Sequence, residues 1–192
     1  YEWYQKIVMW ELSFPDAVLT PATFKNMVSL GCSAGQFDET RDFISTNWKK
    51  VATGQPDVIK TYNMGKVEFK SGNTEKAWNL LVGEEFSNVV YNVGRRVILQ
   101  MACYEMSDST GFYNKFEDYS EQFRAKVRRF AKDGLLSGNQ AKGYTDFIRF
   151  CKRLFYLKHD GTLNHDALVS KLDELEVEIK TAQESSMVAQ RD

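Results

Sequence analysis

The only two histidines of the chain lie in one short polar segment, HDGTLNHD at residues 159–166. His159, His165, Asp160 and Asp166 are all residue types that bind divalent metals. Their spacing fits no pair of ligands on one helix face, and the positions around Asp160-Gly161 lack the oxygen ligands and the closing Glu of a calcium loop. We therefore interpret the segment as a polar connection between helices, and we predict neither a metal site nor a cofactor.

Motifs for nucleophilic catalysis or phosphate binding are absent from the sequence. SAGQ at 33–36 and SGNT at 71–74 lack the lysine of a phosphate-binding loop, and no GxSxG elbow occurs. Cys32, Cys103 and Cys151 are far apart and form no CxxC pair, so we interpret them as small buried thiols. The sequence predicts a protein that is not an enzyme.

Basic residues outnumber acidic ones between residues 115 and 158. The bases are Lys115, Arg124, Lys126, Arg128, Arg129, Lys132, Lys142, Arg149, Lys152, Arg153 and Lys158. One interpretation is a surface for nucleic acid or an acidic partner. The other is a solvated helix face, which the acidic last helix could cover in part. We favour the second interpretation, because the whole chain is nearly balanced, with 25 Lys and Arg against 26 Asp and Glu.

Helices must position these side chains, because apolar residues recur at spacings of three and four and no alternating pattern persists. Residues 62–81 predict two antiparallel helices joined at Ser71-Gly72-Asn73. Gly72 would adopt positive φ and end the first helix, while Asn73 would cap the second. Small residues at Gly65 and Ala77 would let the two helices approach closely.

Similar turns recur along the chain. Gly35 and Gly72 are 72 − 35 = 37 residues apart, and Asp108 follows after 108 − 72 = 36. A recurring interval of this length indicates stacked helical hairpins. The remaining predicted helices begin after Thr20-Pro21, near Phe37, at Ser87 or Asn88 and near Phe112, Gln140 and Asn164. A first helix covers residues 1–12 and is followed by a break at 13–16.

The predicted hairpin at residues 62–81 carries Gly65, Gly72, Ala77 and Leu81 at the spacing of a tetratricopeptide repeat (TPR), although Thr61 and Glu68 stand where that motif favours large aromatic residues. A broader resemblance is carried by segments along the chain: LTPATFKN (19–26), FISTNWKK (43–50), YNMGKVEF (62–69, within the same hairpin), FSNVVYNVGRRVILQMACYEM (86–106) and FRAKVRRF to GYTDFIRFCKRLF (123–155). Together they resemble a group of uncharacterised bacterial TPR-like helical repeat proteins.

The resemblance implies an all-α fold, a TPR-like right-handed superhelix or α-solenoid over residues 1–158 with a separate C-terminal helix at 159–192. It also implies a non-catalytic protein-binding scaffold whose partner is an unknown protein or peptide. The implied concave surface carries exposed amides and cations suited to an extended peptide or an acidic tail. These candidate partner-binding residues are Lys25, Asn26, Tyr62, Asn63, Lys66, Arg95 and Arg96.

Further expectations concern the setting and the last helix. No apolar run approaches the length of a membrane span, so we expect a cytoplasmic protein, monomeric or weakly dimeric, excised from a longer chain. Leu168, Leu172, Leu175 and Ile179 form one narrow apolar stripe. This stripe either caps the end of the repeat array or forms a coiled coil with a second copy. We favour the cap, because the stripe covers only about two heptads.

Overall fold

The structure, a computed structural model, describes residues 2–12, 14 and 18–188. Within these residues the chain forms nine α-helices and one short 3-10 turn, and no strand beyond a single bridge between Leu19 and Val51. The helices are α1 (Glu2–Leu12), α2 (Pro21–Ser33), α3 (Phe37–Asn47), α4 (Pro56–Lys70), α5 (Thr74–Leu81), α6 (Val89–Glu105), α7 (Thr110–Lys132), α8 (Gly138–His159) and α9 (His165–Val188). The predicted all-α class is confirmed. The predicted break after α1 falls largely on Ser13, Pro15 and Asp16, which lie outside the described residues.

The chain divides into two compact units, Tyr1–Ala102 and Cys103–Asp192. In the first unit, α1 packs on α2, α2 on α3, α3 on α4 and α4 on α5, and α2 also contacts α4 directly. In the second unit, α7 packs on α8 and α8 on α9. The division falls within α6, and α9 packs against α8 inside the second unit. The predicted boundary between helical repeats at 1–158 and a last helix at 159–192 stays a prediction.

The core of the first unit is formed by one face of each helix from α1 to α4. Phe24 and Val28 of α2, Ile44 of α3 and Ile59 and Val67 of α4 are completely or almost completely buried. The threonine cap predicted for α2 is present: Thr20 Oγ1 accepts a hydrogen bond of 3.0 Å from the Thr23 backbone N–H. The sequence pattern therefore predicted both the buried apolar face and the first residue of α2 correctly.

The two hairpins of the first unit turn on glycines with left-handed backbone. Gly35, between α2 and α3, has φ of 72°, and Gly72, between α4 and α5, has φ of 83°. Both conformations are easily reached only without a Cβ atom. Asn73 precedes α5 as predicted but does not cap it, and this part of the prediction is wrong. Its Nδ2 instead donates to Glu68 Oε2, at 2.8 Å, and to Ser71 Oγ, at 3.2 Å.

Close helix approach at glycine is confirmed at Gly65, as predicted, and also occurs at Gly94. A Cβ added to Gly65 of α4 would lie 2.6 Å from Leu81 Cγ of α5. A Cβ added to Gly94 of α6 would lie 2.5 Å from the Tyr62 hydroxyl of α4. Neither distance is compatible with an additional carbon, so the packing of α5 and α6 against α4 depends on both glycines.

A buried carboxylate ties α3, α4 and α5 together. The side chain of Glu68 is fully buried and accepts hydrogen bonds from Arg41 (3.0 and 3.1 Å), Lys76 (2.6 Å) and Asn73. Burial alone would raise the pKa of Glu68, but these donors outweigh it and hold the pKa at about 2. This polar network explains how a charged side chain can occupy a fully buried position of α4.

The second unit is built around aromatic rings. Phe116 of α7 and Phe155 of α8 are fully buried and stack with ring centroids 4.1 Å apart. In α9, which packs on α8, Leu175 is 1% exposed, while Leu172 remains 39% exposed. Glu178 of α9 forms an ion pair with Arg153 of α8. The acidic last helix thus covers part of a basic helix face, as the sequence suggested.

Candidate functional site

The predicted partner-binding residues fall into two groups with different environments. Lys25 and Asn26 of α2 are exposed, and Tyr62 and Lys66 of α4 are half-buried. These four lie on α2 and α4, the two helices that contact each other directly in the first unit. Their role in binding a partner stays a prediction.

The expected exposure is wrong for Asn63, which is completely buried. Its Nδ2 donates 2.8 Å to the carbonyl oxygen of Ile59, one turn earlier on the same helix. Ile59, Asn63 and Val67 follow one another at intervals of four and therefore share the core-facing side of α4. Asn63 belongs to this internal stripe, so it cannot contact a partner at the surface.

Arg95 and Arg96 of α6 are likewise buried, at 3% and 7% exposure, and their expected exposure is also wrong. Arg95 donates 2.7 Å to the carbonyl oxygen of Leu81 at the end of α5, where helix carbonyls lack intrahelical partners. Arg96 forms a 2.9 Å ion pair with Glu85 in the connection that follows. Both guanidinium groups therefore hold the α5–α6 connection in place.

A row of three lysines with two small neutral neighbours lies at the surface of α2 and α4, and we call it the lysine face. It consists of Lys25, Ser29 and Cys32 on α2, together with Lys66 and Lys70 on α4. Each set is spaced by three or four residues and so lies on one side of its helix. Lys66 Nζ donates 2.7 Å to Ser29 Oγ, which joins the two sets into one surface.

The lysine face carries positive charge without a nearby counter-charge. The α2 sequence contains no acidic residue, and of the two acids in α4 Asp57 lies in the first turn and Glu68 is engaged in its own network. Within the described ranges, no carboxylate approaches Lys25, Lys66 or Lys70 to ion-pair distance.

The charged form of Lys66 is destabilised by its half-buried position and by the neighbouring positive charges. Burial is the main cause that lowers the pKa of Lys66; Cys32 opposes it, and repulsion from Lys25 and from Lys70 adds smaller effects that lower the pKa further. A carboxylate placed beside Lys66 would relieve both effects, because it would stabilise the charged form of the amine.

The cysteine of the lysine face is a neutral neighbour. Burial raises the pKa of the Cys32 thiol, although Lys66, Lys70 and Arg41 act in the opposite direction. Burial also raises the pKa of Cys103 to about 11 and that of Cys151 to about 12. All three free thiols are therefore mostly protonated at neutral pH and are poor nucleophiles.

A pair of tyrosines continues the lysine face along α4. Tyr62 lies one helical turn before Lys66, and its ring meets that of Tyr91 of α6 edge to face, with centroids 5.1 Å apart. The sequence analysis missed Ser29, Cys32, Lys70 and Tyr91. The first three could have been found from their helical spacing to Lys25 and Lys66, whereas Tyr91 depends on how α6 packs on α4.

The competing basic region on α7 and α8 is largely neutralised within its own unit. Lys152 lies 2.7 Å from Glu117 and 3.1 Å from Glu121. Further ion pairs join Arg124 to Glu121, Arg129 to Asp133, Arg149 to Asp146, Arg153 to Glu178 and Lys158 to Asp108. At least six of the eleven bases in this region are thus paired with described acidic residues, which reduces the positive charge available to phosphates.

The histidine-containing segment serves packing at the end of α8. His159 Nε2 lies 2.9 Å from Ser107 Oγ, and its ring contacts those of Tyr113 and Phe155. His165 instead begins α9. Among the residues that the structure describes, no three His, Cys, Asp or Glu side chains converge as metal ligands.

Comparisons with protein-family models, curated proteins and solved structures gave no significant match. In the described part of the chain, no helix combines the length and the apolar character needed to cross a membrane.

Proposed function

We propose that this chain is a non-catalytic helical scaffold that binds an extended segment of another protein along the lysine face. The observation that carries the proposal is the row of cations on α2 and α4, which form no ion pair with any carboxylate that the structure describes and are joined by the hydrogen bond between Lys66 and Ser29. Scaffolds of stacked helical hairpins bind partners on the surface formed by the first helices of successive hairpins.

A TPR-like arrangement of the first unit is part of the same proposal. The pairs α2/α3 and α4/α5 would be successive hairpins, and the direct packing of α2 on α4 supports this pairing. Gly31 and Gly65 support it as well, since each faces the second helix of its own hairpin too closely for a Cβ atom. They lie 65 − 31 = 34 residues apart, the usual length of this repeat.

The proposal is tested by selecting short random peptides for binding to the whole chain. Selected peptides are then measured against the triple variant Lys25→Glu, Lys66→Glu, Lys70→Glu and against a matched control, Lys49→Glu, Lys50→Glu, in which two exposed lysines of the same unit are reversed. We expect the triple variant to lose the peptides and the control to keep them. Selection of no peptide, or equal binding by both variants, would refute a peptide-binding lysine face.

A further inference from the structure

We infer that the bound segment is acidic and presents two carboxylates on alternate residues, with an apolar residue two positions before them or after them. This inference rests on the proposed function and names the chemistry of its partner. The occupant would be an extended chain with the pattern apolar-x-acid-x-acid or its reverse, where x is any residue and acid is Asp or Glu.

The requirement for carboxylates comes from the state of Lys66. Its amine is partly removed from water, repelled by Lys25 and Lys70, and hydrogen-bonded only to the neutral hydroxyl of Ser29 among the described residues. A carboxylate beside the Lys66 ammonium would add the attraction of a full opposite charge to the hydrogen bond, which a neutral hydroxyl or amide does not supply. Carboxylates therefore complement this surface better than amides or apolar groups.

The requirement for alternate spacing comes from the helix itself. Lys66 and Lys70 are four residues apart, and a rise of about 1.5 Å per residue separates them by about 6 Å along α4. In an extended peptide, side chains on the same face are two residues and about 6.6 Å apart. Two carboxylates on alternate residues can thus meet both lysines at once, while adjacent acids point to opposite sides of the peptide.

The apolar position follows from the same row. Tyr62 precedes Lys66 by four residues, so it presents part of its half-buried ring about 6 Å from Lys66 on the opposite side from Lys70. The ring of Tyr91 packs edge to face against it and widens this apolar end. An apolar side chain two positions from the first acid would lie against these rings.

A peptide fits this surface better than a nucleic acid does. The lysine face offers three cations and ends at a pair of tyrosines, whereas stable duplex binding usually involves about 6–10 phosphate contacts. The chain as a whole also has a formal net charge of −1 and therefore no general attraction for polyanions.

The test uses three labelled peptides in a neutral Gly/Ser background and the full chain, with binding measured by fluorescence anisotropy. The first carries Val-x-Asp-x-Asp, the second has both Asp replaced by Asn, and the third has the two Asp adjacent. We expect the first to bind at least about tenfold more tightly than either of the others, equivalent to about 1.4 kcal/mol. Lys66→Gln and Lys70→Gln should each remove most of that difference, while Lys50→Gln should leave it unchanged.

The outcomes separate this inference from the proposed function. If the Asn peptide binds as well as the Asp peptide, recognition does not depend on acid and the inference is overturned. If adjacent acids bind equally well, the proposed register is wrong. After either result, the proposed function still holds if the peptides selected from the random library lose binding to the Lys25, Lys66, Lys70 triple variant. If those peptides bind the triple variant as well as they bind the wild type, the proposed function is refuted together with the inference. Melting temperatures of each variant show whether a loss reflects misfolding.

Discussion

Replacing Glu68 by Gln should destabilise the first unit and remove a defined part of its response to acid. The carboxylate is fully buried and holds Arg41, Lys76 and Asn73, which come from α3, from α5 and from the turn before α5. Glutamine keeps the size of the side chain, so the change is mainly electrostatic. The variant would leave the Arg41 guanidinium facing a neutral amide that can accept fewer hydrogen bonds.

The magnitude follows from the pKa. In the folded chain the pKa of Glu68 is lowered from its ordinary value of 4.5 to about 2. A shift of that size corresponds to at most about 3.4 kcal/mol, at 1.36 kcal/mol per unit. Lys76 is 62% exposed, so solvent screens its contribution. We therefore expect Glu68→Gln to reduce the free energy of unfolding at neutral pH by about 1–3 kcal/mol.

The lowered pKa of Glu68 also determines how the stabilisation changes with pH. Because the folded pKa lies below the unfolded one, the unfolded chain binds more protons between these values, and the stabilisation by Glu68 is present above about pH 4.5. It decreases as the pH falls and is lost near pH 2. The difference between wild type and variant should therefore be largest at neutral pH and should shrink through this acidic range.

Urea denaturation followed by circular dichroism at several pH values measures this difference. Glu75→Gln serves as the matched control, since Glu75 is an exposed acid in the first turn of α5. The control should change the free energy of unfolding by less than about 0.5 kcal/mol. Equal stability of Glu68→Gln and wild type at neutral pH, or a difference that stays constant on acidification, would show that the network does not stabilise the fold.

Three further predictions concern the helix packing. Gly72→Val should lower the free energy of unfolding by about 1–3 kcal/mol, because φ is positive at this residue. Gly83→Val, at a turn glycine without positive φ, should lower it by less. Equal melting temperatures of the two variants would contradict the left-handed turn at Gly72. Gly65→Ala should lower the free energy of unfolding by about 1–3 kcal/mol, because the added methyl group clashes with Leu81, and Leu81→Ala should offset part of that loss in the double variant. Strictly additive effects of the two substitutions in chemical denaturation would argue against the contact. Deleting the residues after Asp160 should uncover the apolar side chains that α9 packs against and cause aggregation; a soluble, equally stable monomer formed from a dimer would instead identify α9 as a dimerisation helix.

The helices of this chain could be predicted from local pattern because their apolar faces repeat with helical period. Gly72 was identified correctly, since a turn that needs positive φ strongly favours glycine. Helix α8 begins at Gly138, two residues before the predicted Gln140. This start depends on a reciprocal cap: the Ser137 hydroxyl accepts a hydrogen bond from the Gln140 backbone N–H, and the Gln140 side chain accepts one from the Ser137 backbone N–H. That cap was present in the sequence and was overlooked.

The environments of individual charged residues could not be predicted in the same way. Glu68 meets Arg41 across 27 residues of sequence, and no local pattern links the two. Arg95 and Arg96 are residue types that often occur in binding surfaces. In the fold they are buried instead, because Arg95 donates to a backbone carbonyl at the end of α5 and Arg96 forms an ion pair with Glu85. Sequence alone therefore identified the helices of the candidate site more reliably than the side chains that are exposed on them.

The most direct test of the lysine face maps where a bound peptide touches the whole chain. Backbone amide resonances of the labelled protein are followed by NMR while a peptide selected from the random library is added. The account predicts that the perturbed amides cluster on residues 25–32 of α2 and 62–70 of α4 and that the Lys66→Gln variant loses this response. Perturbations clustered on the basic helices at 115–158, with α2 and α4 unaffected, would contradict it.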